Sequence, residues 1–245
     1  MGIERFGDKP VVGKIAREPM PDRLVLIAQN KEGYFNLLKI VSRAHMTSEA
    51  GSEPKALYDH IREHGEHIIC LTGGPTGPLA RLLGDEQVEK AESCLSELKN
   101  IFGNRLYIEL QRHGEPLEEL VEPGLVKLAY DHDVPLVATN NCYFPTVDMY
   151  EAHDVFICVG QGAVVGQEDR WKLTPDHRFK TAAEMRELFA DIPEACDNTV
   201  LIAKRCSWHV EKIDPILPPF DCGEGRTEVD ELRHMSEEGL KARLE

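Results

Sequence analysis

The sequence lacks three things, and each absence removes a class of function. No apolar run approaches the roughly 20 residues of a membrane-spanning helix, and the opening MGIERFGDKP has no apolar segment of a secretory signal. These two absences predict a soluble, cytoplasmic protein. No pair among the seven cysteines, at 70, 94, 142, 158, 196, 206 and 222, has CxxC spacing, and their number is odd. That argues against a zinc ribbon, a redox motif or a disulfide framework, and predicts free thiols packed as small hydrophobes. Basic residues are short: 28 Lys and Arg face 43 Asp and Glu, a net charge of −15. Phosphate binding needs clustered cations, so this chain is not expected to wrap nucleic acid by itself.

What is present is an alternation of short apolar runs and helical periods. The 42% hydrophobic content is ample for a packed core. Residues 23–29 (RLVLIAQ) have the pattern of a buried strand, and Asn30 is placed to cap a helix over 31–46 with Tyr34, Leu37, Leu38 and Val41 at helical spacing. Residues 47–53 form a polar loop. Pro54 can begin a helix with Leu57 and Ile61 on its buried side, ended by Gly65. Strands follow at 67–71, 106–110 and 136–139. Helices are expected at 85–102, with Val88, Cys94, Leu95 and Leu98 inward, and at 117–131. Four strands separated by helices predict parallel pairing and an α/β fold, as a barrel or an open sheet. Beyond Phe144 the chain turns helical (148–160), crosses a polar connection (163–180), and meets a capping box at Thr181 and Glu184. A helix from about Pro193 leads to a Pro- and Gly-rich stretch, and 229–245 starts another helix.

Sites in parallel α/β folds lie at the carboxyl ends of strands. Four places qualify: Gln29–Asn30, Thr72–Gly74, Gln111–His113 and Asn140–Tyr143. The turn GGPTGP lacks the Lys-Ser/Thr of a P-loop and is expected to be a plain strand-to-helix turn. His60-Ile-Arg-Glu-His64 spells H-x-x-E-H, an inverted zinc-protease motif. Because Leu57 and Ile61 define the buried face of that helix, His60 and His64 are expected to point outward and not to converge with further ligands. His153 is expected to be a satisfied, partly buried histidine.

Six segments occur in one order: RLVLIAQNKEGYFNLLKIVSRAH, IICLTGGPTGPLARLL, LYIELQRHG, LVATNNCYF, DMYEAHDVFICVGQG and EMRELFADIPEACDNTVLIAKRC. Together they resemble the PHP (polymerase and histidinol phosphatase) domain at the amino end of bacterial DNA polymerase III alpha subunits. The resemblance implies a distorted parallel β/α barrel, TIM-like and incomplete at its N-terminus, with a helical C-terminal extension. It divides the chain into a partial PHP domain (1–210), a linker (211–228) and the start of the polymerase body, cut off (229–245).

In relatives with an intact site, the strand ends hold a cluster of metal ions, Zn2+ or Mn2+, and some act as 3′–5′ exonucleases or phosphoesterases. Residue by residue, His113 matches a family ligand position and is the candidate metal ligand here. Asn141 and Tyr143 stand where such relatives carry an acid and an imidazole, and Gly74 stands where many carry Cys. Cys142 can ligate as a thiolate, yet one thiol and one imidazole are too few for a metal site. The stretch VVGKIAREPMPDRLVL lacks the expected acidic ligand. The resemblance therefore implies a degenerate site with no catalytic residues and no cofactor of its own, in a domain that serves a structural and subunit-docking role. The implied partners are the remainder of the alpha subunit, which would bind Mg2+ and DNA, the proofreading exonuclease subunit and other replisome subunits. The alternative is an active metal-dependent 3′–5′ exonuclease or phosphoesterase PHP domain.

Overall fold

The computed structural model describes residues 1–7, 20–49, 51–215, 217–223 and 225–244. The stretch around VVGKIARE, where an acidic ligand was looked for, lies outside these residues. Two compact units are formed, Met1–His209 and Val210–Glu245.

The first unit is built on a four-stranded sheet of order β3 (Val25–Ala28), β4 (Ile68–Leu71), β5 (Leu106–Leu110) and β6 (Leu136–Ala138). A two-residue ribbon, β1 (Gly2–Ile3) against β2 (Asp22–Arg23), sits beside it. β4, β5 and β6 run parallel, each joined to the next through helices. β3 departs from the expected parallel pairing: it is antiparallel to β4, with Val25 opposite Leu71 and Ala28 opposite Ile68. The cause is its connection. The chain leaves β3 along α1 (Lys31–Thr47) and returns along α2 (Tyr58–His64), so it re-enters the sheet at the end it left. β3 is also an edge strand with Val25 exposed, not the buried strand its apolar run suggests.

Helix α1 starts as expected, with the Asn30 side chain accepting from the Gly33 N–H at 2.9 Å. Its buried residues are Gly33, Ile40 and Ala44, while Leu38 and Val41 face outward. Gly33 sets that orientation: a Cβ there would lie 2.1 Å from the His67 carbonyl oxygen, so the helix backbone itself presses on the strand-leading turn. Pro54 does not open a helix; Ala56 instead bridges Ile3, and α2 begins at Tyr58.

The apolar residues on the helix side of the sheet (Ile68, Cys70, Leu106, Ile108, Leu110, Leu136, Ala138) pack on α3 (Pro78–Gly84), α4 (Val88–Phe102) and α5 (Pro116–Asp131). α3 is a short helix that the turn-rich TGGPTGP had hidden. In α4, Cys94, Leu95 and Leu98 are buried as expected, whereas Val88 is exposed because it opens the helix. The other sheet face (Ile69, Leu71, Tyr107, Val137) meets Ile202 of α8 (Pro193–Arg205). α6 (Tyr150–Gln161) and α7 (Ala182–Leu188) lie between β6 and α8, and α7 carries the expected Thr181–Glu184 capping box. In the second unit, α9 (Glu228–Leu244) has no buried residue. Among the described residues no helix is long and apolar enough to cross a membrane.

Candidate functional site

The parallel run brings three of the four strand ends together. Gln29–Asn30 is at the opposite end of the sheet, because antiparallel β3 points the other way; the Gln29 N–H donates to the His67 carbonyl there, ahead of β4.

At the shared end, Glu109 of β5 is buried at the centre. Its carboxylate accepts from the Gly73 N–H (2.9 Å), from Gln111 Nε2 (3.0 Å) and from Thr139 Oγ1 (2.5 Å). The Glu109 N–H in turn donates to Thr72 Oγ1 at 3.0 Å. One side chain thus ties the ends of β4, β5 and β6, and its acceptor capacity is met by neutral donors. Gly74 has φ +52°, and a Cβ there would meet the Gln111 amide at 2.7 Å. The Gln111 side chain fills the space that a side chain at 74 would take.

His113 lies three residues past the end of β5 and is 1% exposed. Its N–H donates to Glu118 Oε2 (2.6 Å) and its Nδ1 lies 2.8 Å from Glu118 Oε1. Its Nε2 is 3.2 Å from Asn140 Oδ1, and the Asn140 amide is oriented by Nδ2 donating to the Arg178 carbonyl at 2.9 Å. Both ring nitrogens thus face polar side chains of this chain. Burial pushes the Glu118 carboxyl up, but hydrogen bonds from the His113 ring and backbone outweigh it and hold the group below its ordinary range.

The His177 ring stacks on His113 with centroids 4.1 Å apart and planes 12° from parallel. Its Nδ1 accepts from the Thr174 N–H at 3.2 Å. Desolvation, and then the neighbouring His113, lower its pKa from 6.5 to about 4. Lys180, also buried, reaches the Asp176 carbonyl and approaches Asn140 Oδ1 at 3.4 Å. Nothing in the sequence pattern pointed to His177, Glu118 or Lys180. His177 and Lys180 lie in the polar connection, where only the fold brings them beside His113.

The remaining candidates sit on the surface. Asn141 and Cys142 are exposed, and the partly exposed Tyr143 ring packs edge-on against His153, Trp171 and His177. Against expectation His60 faces inward: it is buried, and its Nδ1 accepts from the Leu57 N–H at 3.3 Å, closing the first turn of α2. The ring folds back onto the Leu57 backbone at the start of the helix, a cap that the helical period alone did not show. His153 is partly buried against Phe144, as expected. All seven cysteines are free; Cys70, Cys94, Cys158 and Cys196 are buried and Cys142 is exposed.

Among the described residues no group of three or more His, Cys, Asp or Glu side chains is placed to hold a metal ion. The cavity beside Gly74, Glu109, Gln111, Glu118 and Glu122 has a volume of about 10 Å³, room for about one water and not for a nucleotide.

Residues 3–113 match the PHP domain family, a stretch that runs from β1 through His113. The match covers less than half of the chain. It is 50% identical over 243 residues to the DNA polymerase III subunit alpha of Caulobacter vibrioides, covering 96% of this chain and 21% of that protein. The subunit of the same name from Pseudomonas aeruginosa is 38% identical over 224 residues, with 91% and 19% covered. That from Haemophilus influenzae is 36% identical over 245 residues, with 97% and 21% covered. The chain thus spans about a fifth of the length of these curated relatives. The matched stretch contains Gly74, Glu109 and His113, while Asn140–Tyr143 and His177 lie beyond it.

Proposed function

We propose that this chain is the PHP region of a bacterial replicative DNA polymerase alpha subunit, acting as a structural and docking domain. The 50% identity to the Caulobacter subunit over nearly the whole chain carries the reading of the parent. The bonding of both His113 ring nitrogens to Glu118 and Asn140 carries the reading of the site. The strand ends that in active relatives would clamp metals are here joined by protein hydrogen bonds through Glu109, His113 and Asn140. His113, Asn141, Cys142, Tyr143 and Gly74 then mark a degenerate site, and this segment has no chemistry of its own. The parallel β4–β5–β6 run supports a distorted β/α barrel.

In this reading residues 1–210 form the PHP domain, 211–228 a linker and 229–245 the start of the polymerase body. The remainder of the subunit supplies Mg2+ binding, nucleotidyl transfer and DNA contacts in the cytoplasm, and the proofreading and other replisome subunits dock on the assembly. Metal content and nuclease assays of the purified chain are the test. The expected result is a negligible metal content and no EDTA-sensitive release of 3′ nucleotides. Two or three tightly held Zn2+ or Mn2+ ions per chain with such activity would establish the exonuclease reading instead.

A further inference from the structure

Among the described residues Lys180 is the only buried lysine, at 8% exposed. An ammonium taken out of water is costly unless it is paired, and its hydrogen-bond partners here are carbonyl oxygens. Nζ donates to the Asp176 backbone carbonyl and stands 3.4 Å from Asn140 Oδ1; the Asp176 carboxylate, itself exposed, is 3.9 Å away. The segment that carries the lysine is held down by backbone pairing. The Tyr143 N–H donates to the His177 carbonyl at 2.8 Å, and the Phe179 N–H to the Phe144 carbonyl at 2.9 Å. Lys180 is thus delivered to the shared strand end, where its ammonium and His113 Nε2 approach the same Asn140 oxygen, the ring nitrogen at 3.2 Å. Burial opposes the charged form of Lys180, while Asp176 and, more weakly, Glu118 favour it.

The residues at this end do not fit a metal cluster. Asn141 and Cys142 are exposed, and among the described residues no three His, Cys, Asp or Glu side chains converge. Two buried carboxylates, Glu109 and Glu118, are still there. Resting on the degenerate-site reading proposed above, we infer that Lys180 is a built-in cation. Its ammonium supplies through Asn140 the positive charge that metal ions supply in relatives with an intact site, and fastens residues 174–180 to the turn after β6.

The test uses the intact chain and reads thermal unfolding by circular dichroism. Methionine keeps the length of the lysine stem and drops the charge. A lysine that is merely covered by the fold is replaced by an apolar side chain at no cost or with a gain; a built-in cation predicts the reverse, a fall in Tm of about 5 °C or more for Lys180→Met. Lys180→Ala leaves room for the missing stem, and ethylammonium chloride is expected to return about half of the Tm it loses, whereas sodium chloride at equal ionic strength is not. A Lys180→Met chain with the wild-type Tm or a higher one overturns the inference, and so does an equal response of Lys180→Ala to the two salts. Should Lys180→Met fail to fold, the Lys180→Ala arm decides, with ethylammonium and not sodium expected to restore cooperative unfolding. Metal content separates this inference from the reading it rests on. Two or three tightly held Zn2+ or Mn2+ ions in the wild-type chain overturn both, while a metal-free chain with an unchanged Lys180→Met overturns the built-in cation alone.

Discussion

His177 is a neutral imidazole held in a stack, and that makes stability depend on pH. Its folded pKa, about 4, lies below its ordinary 6.5, so protonation is resisted by the fold. The stabilisation is complete above 6.5 and is lost as pH falls towards 4. We expect unfolding free energy to drop by about 2 kcal/mol across that window, and the drop to shrink in His177→Gln. Denaturant titrations at pH 7 and pH 4.5 would show it; parallel profiles for the two proteins would refute it. Gly74 sets a second test. Gly74→Cys adds a side chain at φ +52° against the Gln111 amide, which itself bonds Glu109 and Thr139. A loss of about 2 kcal/mol is expected. Removing the obstruction with Gln111→Ser should make Gly74→Cys less damaging than it is alone, a coupling that a double-mutant cycle measures.

Among the elements, Arg112 ties the turn after β5 to α5 and to the end of α7. Its guanidinium binds Glu122 of α5 at 2.6 and 2.9 Å, Asp191 at 2.7 and 2.8 Å and the Leu188 carbonyl at 2.6 Å, and lies 4.5 Å from the Phe189 ring centroid. Because planar bidentate geometry cannot be met by an ammonium, Arg112→Lys should destabilise almost as much as Arg112→Ala, by about 2 kcal/mol in urea unfolding. Full rescue by Lys would show that charge alone matters. The elements themselves were largely legible: the strand 106–110, the Asn30-capped helix and the Thr181–Glu184 box follow from local chemistry, and the structure has them. The direction of β3 was not, because it depends on how two helices return the chain. Nor was the outward turn of Leu38 and Val41, since α1 carries apolar residues on more than one face and only its close approach at Gly33 selects which is buried. His113 could be named as a candidate from the sequence, whereas its stacking partner His177, 64 residues away, could not, for the same reason.

For the molecule as a whole, charge decides what the chain can do alone. Duplex DNA is bound non-specifically through cations that displace counterions, with Kd of about 1 to 100 μM at physiological salt for proteins built for it. Here several of the arginines are already spent: Arg112, Arg170, Arg178 and Arg186 each bind carboxylates of this chain. The surplus of 15 negative charges adds repulsion over the Debye length of about 8 Å at that ionic strength. The isolated chain should therefore show no change in the anisotropy of a labelled duplex up to about 100 μM at 0.15 M salt. Binding in the micromolar range that weakens steeply with added salt would mean that a cationic track exists on this surface. In that event DNA would be a direct ligand of this chain, and a purely structural role would no longer account for it.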